Sequence, residues 1–250
     1  MSDARSTAGL VVRGLRAARS GRDVIIDASL DLAAGEIAAI VGPNGGGKTS
    51  LLEAIVGVLR AHAGRVSWNG RDLTTFADRA RTFAFAPDEV TPARELRVKD
   101  VVSHARRTGG ASESLVATLR EQLGVTPFLD AGAAELSRGE AKRIALFQAF
   151  ATTRSVIVLD EPFGAFDPRQ LVRVLDVVRA RARAGVAVLI TSHQLADAER
   201  IADRVLLFSE GRIVAEGTPS ALRHAYGDAS TLEEVFLRAL GDGESAHARS

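Results

Sequence analysis

Between Glu36 and Ser50 an apolar stretch, Glu-Ile-Ala-Ala-Ile-Val41, runs straight into Gly42-Pro-Asn-Gly-Gly-Gly-Lys-Thr-Ser50. No other segment constrains the fold so tightly. Glycines at this density let successive main-chain N–H groups turn inward around an anion with no Cβ in the way. Leu51, Leu52, Ile55 and Leu59 then recur with helical spacing. A helix N-terminus, whose unpaired amides favour negative charge, therefore faces the same anion. Gly42, Gly47, Lys48 and Thr49 meet the pattern G-x-x-x-x-G-K-[ST]. An unliganded Gly-rich turn is the competing explanation, and the strand before and helix after it favour a phosphate site. Gly42, Pro43, Asn44, Gly45, Gly46, Gly47, Lys48, Thr49 and Ser50 are thus expected to cradle the phosphates of ATP. Lys48 reaches the β- and γ-phosphates, and the Thr49 hydroxyl meets magnesium.

Further apolar runs extend the strand–helix alternation. Strands are expected over 65–68, 82–86, 155–159, 186–190, 204–208 and 212–215, and a helix over 168–184. Asn69-Gly70 and Glu210-Gly211 read as tight turns. Residues 88–153 change character: no strong strand, and apolar residues at helical intervals. The fold class is α/β, a mostly parallel sheet core with a helical insertion. One domain spans 1–240, with its core at 9–87 and 154–240 and a helical subdomain at 88–153; 241–250, small and polar, is expected to be a disordered tail.

Val156-Ile-Val-Leu-Asp160-Glu161 ends a strand in two carboxylates. Ligands of parallel sheets lie beyond the carboxyl ends of the strands. That places Asp160 to hold magnesium and Glu161 to polarise the attacking water. Leu136-Ser-Arg-Gly-Glu140 opens an apolar-periodic run, and Ser137 with Glu140 forms an S-x-x-E capping box. The same geometry, with an unencumbered Gly139 amide, suits a phosphate. His193, after the strand at 186–190, is either a surface or cap residue or a sensor of the γ-phosphate.

In this order the motifs resemble the nucleotide-binding subunit of ATP-binding cassette (ABC) transporters, over about residues 10 to 240. The resemblance rests on GPNGGGKTS at 42–50, LSRGE at 136–140, VIVLDEP at 156–162, Gly164-Ala-Phe-Asp-Pro168 and TSH ending at His193. It implies a P-loop NTPase core with a small antiparallel β subdomain beside the helical one. It also implies a head-to-tail dimer, homo- or hetero-, sandwiching two ATP molecules. Ser137, Gly139 and Glu140 then serve the site across the interface, while Glu161 is the catalytic base, His193 the γ-phosphate sensor, and Asp167 part of the loop coupling the sites. The further partner implied is a transmembrane permease subunit, with the chain peripheral at the cytoplasmic face of the membrane. The tail Ser230-Thr-Leu-Glu-Glu-Val-Phe-Leu237 resembles cassettes of ABC-2-type exporters, and Glu161-Pro-Phe-Gly-Ala165 resembles import cassettes; the balance leans to export.

Three positions depart from the family pattern. No aromatic precedes Trp68, and Arg19, with Arg16 close by, falls where one usually stacks on the base. Asp88 replaces the usual Gln after the strand at 83–86 and is a third candidate metal ligand. Arg138 replaces the first Gly of the signature.

Composition removes other classes. The chain has no cysteine, so disulfides and thiolate metal sites are excluded. A net charge of +1, from 32 basic and 31 acidic residues, gives no electrostatic case for nucleic acid. No stretch approaches the ~20 apolar residues of a membrane span. The only lysines are Lys48, Lys99 and Lys142, so a lysine inside a motif carries weight. The competing functions are a soluble non-transport ABC ATPase, another P-loop NTPase, and a weakened cassette that binds nucleotide with little turnover.

Overall fold

The computed structural model describes residues 9–89 and 95–247, with side chains as far as residue 240. Ten strands form one sheet: β1 (Leu10–Arg19), β2 (Arg22–Leu32), β3 (Ile37–Val41), β4 (Ala61–Trp68), β5 (Arg71–Asp72), β6 (Phe83–Ala86), β7 (Val156–Leu159), β8 (Ala187–Ser192), β9 (Arg204–Ser209) and β10 (Arg212–Gly217). Their order is β5-β4-β1-β2-β10-β9-β3-β8-β7-β6. The run β9-β3-β8-β7-β6 is parallel. The other end, β5-β4-β1-β2, is antiparallel.

Every residue of β3, β7 and β8 is buried, the mark of strands covered on both faces. Helix α1 (Lys48–Val56) follows β3 and packs Leu51, Leu52 and Ile55 against one face. Helix α2 (Phe76–Thr82) precedes β6. Between β6 and β7 the described residues hold α3 (Val98–Gly109), α4 (Glu113–Gln122), α5 (Arg138–Phe150) and two short 3-10 turns, with no strand. They and α6 (Pro168–Arg183) pack with strand residues such as Ile157 and Val188 in the largest apolar cluster, which includes Phe147 and Phe150. Helices α7 (Leu195–Ile201), α8 (Pro219–Ala225) and α9 (Leu232–His247) close a third cluster over β3 and β9.

The parallel register sets the site. Val41 lies beside Ser192, and Leu159 beside Ile190. In the order β3-β8-β7, the residues just past three neighbouring strand ends are Gly42, His193 and Asp160.

Two features differ from the sequence reading. Strands β1 and β2 were not located in the sequence. Buried Leu10 and Val12 alternate, but the next buried residues are Leu15 and Ala17, because a register shift falls at Gly14. Gly14 takes φ +57 and its amide donates to Ser29 Oγ at 2.9 Å. One extra residue inverts the period-2 pattern midway and hides the strand. The stretch 241–250, expected as a disordered tail, continues α9 as far as His247; residues 248–250 lie outside those described.

The helical insertion is fastened tightly to the segment that leads into β7. Gly109, at the end of α3, accepts from Thr153 N at 2.8 Å, and a Cβ there would lie 1.9 Å from Ala151 O. Gly109→Ala should therefore lower stability by about 1–3 kcal/mol through overpacking, read as a lower urea midpoint at unchanged slope.

Candidate active site

The loop between β3 and α1 is shaped by backbone conformations that only glycine adopts freely. Gly45 and Gly47 take φ +77 and +98, and a Cβ on Gly42 would meet Phe208 O at 2.0 Å. Gly47 is also the N-cap of α1, which has neither a side-chain cap nor an acid in its first turn. Its first-turn amides are thus left for a ligand. Lys48 is 6% exposed, and its ammonium donates to Gly42 O at 2.9 Å and Pro43 O at 3.1 Å. The ammonium is thereby held inside the loop it serves.

Asp160 closes this loop against the sheet. Its carboxylate is 1% exposed, and Thr49 Oγ1 donates to Oδ2 at 2.8 Å. Thr191, fully buried on β8, donates its hydroxyl to Oδ1. The Asp160 amide donates to Ala86 O at 2.9 Å. A carboxylate buried so deeply is stable only with its oxygens satisfied.

Glu161 turns sharply out of β7 with φ +44. Its Oε2 accepts from His193 N at 3.2 Å and lies 2.7 Å from His193 Nδ1. Its Oε1 is buried without a hydrogen-bond partner, 3.5 Å from the Lys48 ammonium. Burial pushes up the carboxyl of nearby Asp197 on α7; Arg200 and His193 oppose the shift and Glu161 adds to it.

A cavity of about 690 Å³ opens here, lined among others by Asn44, Asp88, Arg138, Lys142, Glu161 and His193. It runs from the phosphate loop to the start of α5. Ser137 caps that helix: its hydroxyl accepts from Glu140 N at 3.4 Å and donates to Glu140 Oε2 at 2.7 Å. The Ser137 hydroxyl and main chain hold the Glu140 carboxyl below its usual value. Gly139 sits in the first turn, where a Cβ would lie 3.0 Å from Ala165 O. Within one chain Ser137 and Glu140 therefore bond each other, not the phosphate loop. Asp167 caps α6, its Oδ1 accepting from Arg169 N and Gln170 N at 2.9 Å each.

Two of these residues have partners that lie far off in the sequence. Asp88, read as a possible magnesium ligand, has its Oδ1 held at 3.0 Å by the Lys142 ammonium. Arg19, read as a stacking platform for the base, has its guanidinium bound to Glu53 on α1. Sequence reasoning missed Thr191 and Lys142. Thr191 stands two residues before His193 in the same motif, and Lys142 is one of three lysines in an arginine-rich chain; both signals were present.

The residues fit a magnesium–triphosphate: a glycine cradle around an ammonium, a threonine hydroxyl paired with a buried carboxylate, and beside them the Glu161 Oε1, which has no hydrogen bond. Fold and loop together define a P-loop nucleotide-binding protein. Residues 25–164 match the family described as ABC transporter. The chain belongs to that family, as one of its ATP-binding, ATP-hydrolysing subunits.

It is 37% identical over 222 residues to the hemin import ATP-binding protein HmuV of Nocardia farcinica, covering 86% of this chain and 77% of that one. It is 29% identical over 228 residues to the lipopolysaccharide export system ATP-binding protein LptB of Escherichia coli K12, covering 86% and 92%. A solved ATP-binding subunit of an ABC transporter superposes with a TM-score of 0.85 at 26% identity, over 93% of this chain and 100% of that one. A bacterial Atm1-family ABC exporter with ATP bound shares the fold, with a TM-score of 0.80 at 21% identity over 92% of this chain and 41% of that one. Cassettes of the family bind ATP, generally with magnesium, dimerise and act with transmembrane permease subunits. Among the described residues no helix is long and apolar enough to cross a membrane.

Thr191→Val should leave Asp160 Oδ1 and the Glu161 amide each without a partner. The ligand-free protein should lose about 1–3 kcal/mol of unfolding free energy, measured by urea denaturation.

Proposed function

We propose that this cassette hydrolyses magnesium–ATP at a site completed by a second cassette, and passes the resulting opening and closing to a membrane permease. The observation that carries the reading is the pair of Glu161 oxygens. One is fixed by His193, and the other is buried with no hydrogen bond, in an ion pair with Lys48 at 3.5 Å. Such an oxygen is suited to accept a proton from a water attacking the γ-phosphate, with ADP and phosphate as products.

Lys48 and the amides of Gly45 and Gly47 would hold the phosphates, and Thr49 and Asp160 would hold the metal. Magnesium, when bound, would neutralise negative charge on the phosphates. His193 keeps Glu161 aimed and meets the γ-phosphate. Ser137, Gly139 and Glu140 serve the facing cassette's nucleotide through the start of α5. The exposure of Ser137 supports that role, since Ser137 and Glu140 bond each other within their own chain.

Direction belongs to the membrane partner. Relatives similar over nearly the same share of this chain are named for hemin import and for lipopolysaccharide export. One hydrolytic site thus serves both.

Lys48→Ala should weaken ATP binding at least about a hundredfold, since a desolvated charge–phosphate contact is lost; titration with a fluorescent ATP analogue measures it, and retained affinity refutes the loop assignment. Glu161→Gln should bind ATP normally, hydrolyse it more than about a hundredfold more slowly, and elute as an ATP-dependent dimer in size exclusion. Hydrolysis at the parent rate removes Glu161 from the role of base.

A further inference from the structure

Lys142 lies on α5 and is 7% exposed, so its ammonium is withdrawn from water. A buried ammonium persists only among acceptors. Three surround it: Asp88 Oδ1 at 3.0 Å, Asp88 main-chain O at 3.1 Å and Asp160 main-chain O at 3.2 Å. Asp88 follows β6 and Asp160 follows β7, so one side chain of the helical insertion ties two neighbouring strand ends together. The compact ammonium, with three donors on a flexible stem, suits acceptors that diverge in this way.

The third acceptor matters most. The Asp160 carbonyl and the Glu161 amide belong to one peptide plane. Lys142 holds the carbonyl at 3.2 Å, and Thr191 Oγ1 accepts from the amide at 3.0 Å. Both polar atoms of this peptide are therefore fixed. Directly after it, Glu161 takes φ +44, a conformation that a non-glycine residue keeps only when its surroundings enforce it. The direction of the Glu161 side chain follows from that plane.

We propose that Lys142, with Asp88 as its counter-ion, is a positioning residue for ATP hydrolysis, holding the peptide between Asp160 and Glu161 so that Glu161 meets the attacking water. The inference rests on Glu161 being the base. It adds a dependence on α5, because the helix that begins at Ser137 also sets the aim of Glu161.

The test compares Lys142→Met, Lys142→Gln, Asp88→Asn, the double variant Lys142→Met/Asp88→Asn and Glu161→Gln in the full chain. Single-turnover hydrolysis at saturating magnesium–ATP is measured beside equilibrium binding of a fluorescent ATP analogue. Lys142→Met should slow hydrolysis about tenfold or more while the Kd moves less than about threefold, a split that marks loss of positioning and not of binding. Lys142→Gln, whose amide can still donate to one acceptor, should fall between and serves as the folded comparison should the methionine variant fail to fold. Asp88→Asn, which keeps its main-chain oxygen, should have a smaller effect. The double variant should be no slower than Lys142→Met, since the pair acts as a unit. Parent-like hydrolysis in both Lys142 variants, or binding and hydrolysis falling together, overturns the proposal. If Glu161→Gln is inactive while the Lys142 variants are not, only the positioning role fails. If Glu161→Gln hydrolyses normally, the base assignment fails first.

Discussion

The buried carboxylate of Asp160 is the joint on which the rest of the site depends. At 1% exposure it is stable because two hydroxyls, from Thr49 and Thr191, satisfy its oxygens. Those hydroxyls come from the start of α1 and from β8, while Asp160 itself directly follows β7. One side chain therefore pins the phosphate loop, the central strand and the acidic turn to one another. The arrangement works only because the parallel strands are in phase, with Val41 beside Ser192 and Leu159 beside Ile190. A slip of one residue in β7 would turn Asp160 to the other face.

Around that joint the charges nest in order. Lys48 is folded among the carbonyls of its own loop, Glu161 stands beside it, and His193 holds the far oxygen of Glu161. On the other side Lys142 spans Asp88 and the Asp160 carbonyl. Isolated buried charges are unstable, so each charged group here fixes the position of the next. Family membership adds that such cassettes dimerise and act with permeases.

Much of this was legible in the sequence because it is local. The phosphate loop announces itself through consecutive residues, and the parallel strands through short apolar runs: β3, β6, β7, β8 and β9 fall within two residues of where the pattern puts them. The acidic pair, the capping Ser137 and His193 were also found from their neighbours in the chain. What stayed hidden depends on geometry across the sheet or on an irregularity. The bulge at Gly14 inverts the alternation of β1. The bond between Arg19 and Glu53 joins residues 34 apart in sequence, and that between Lys142 and Asp88 joins residues 54 apart. No window of neighbouring residues contains either pair. Asp88 in particular reads as a free carboxylate until the lysine opposite it is seen.

The left-handed backbone of Glu161 sets two demands against each other at one position. For a side chain with a Cβ this conformation costs of order 1–3 kcal/mol, and glycine or asparagine would relieve it. Neither supplies a carboxylate. With Glu161 as the proposed base, selection for a sturdier fold and selection for turnover pull this residue in opposite directions. A screen of this cassette for heat resistance alone would drift toward chains that grip nucleotide and seldom let it go.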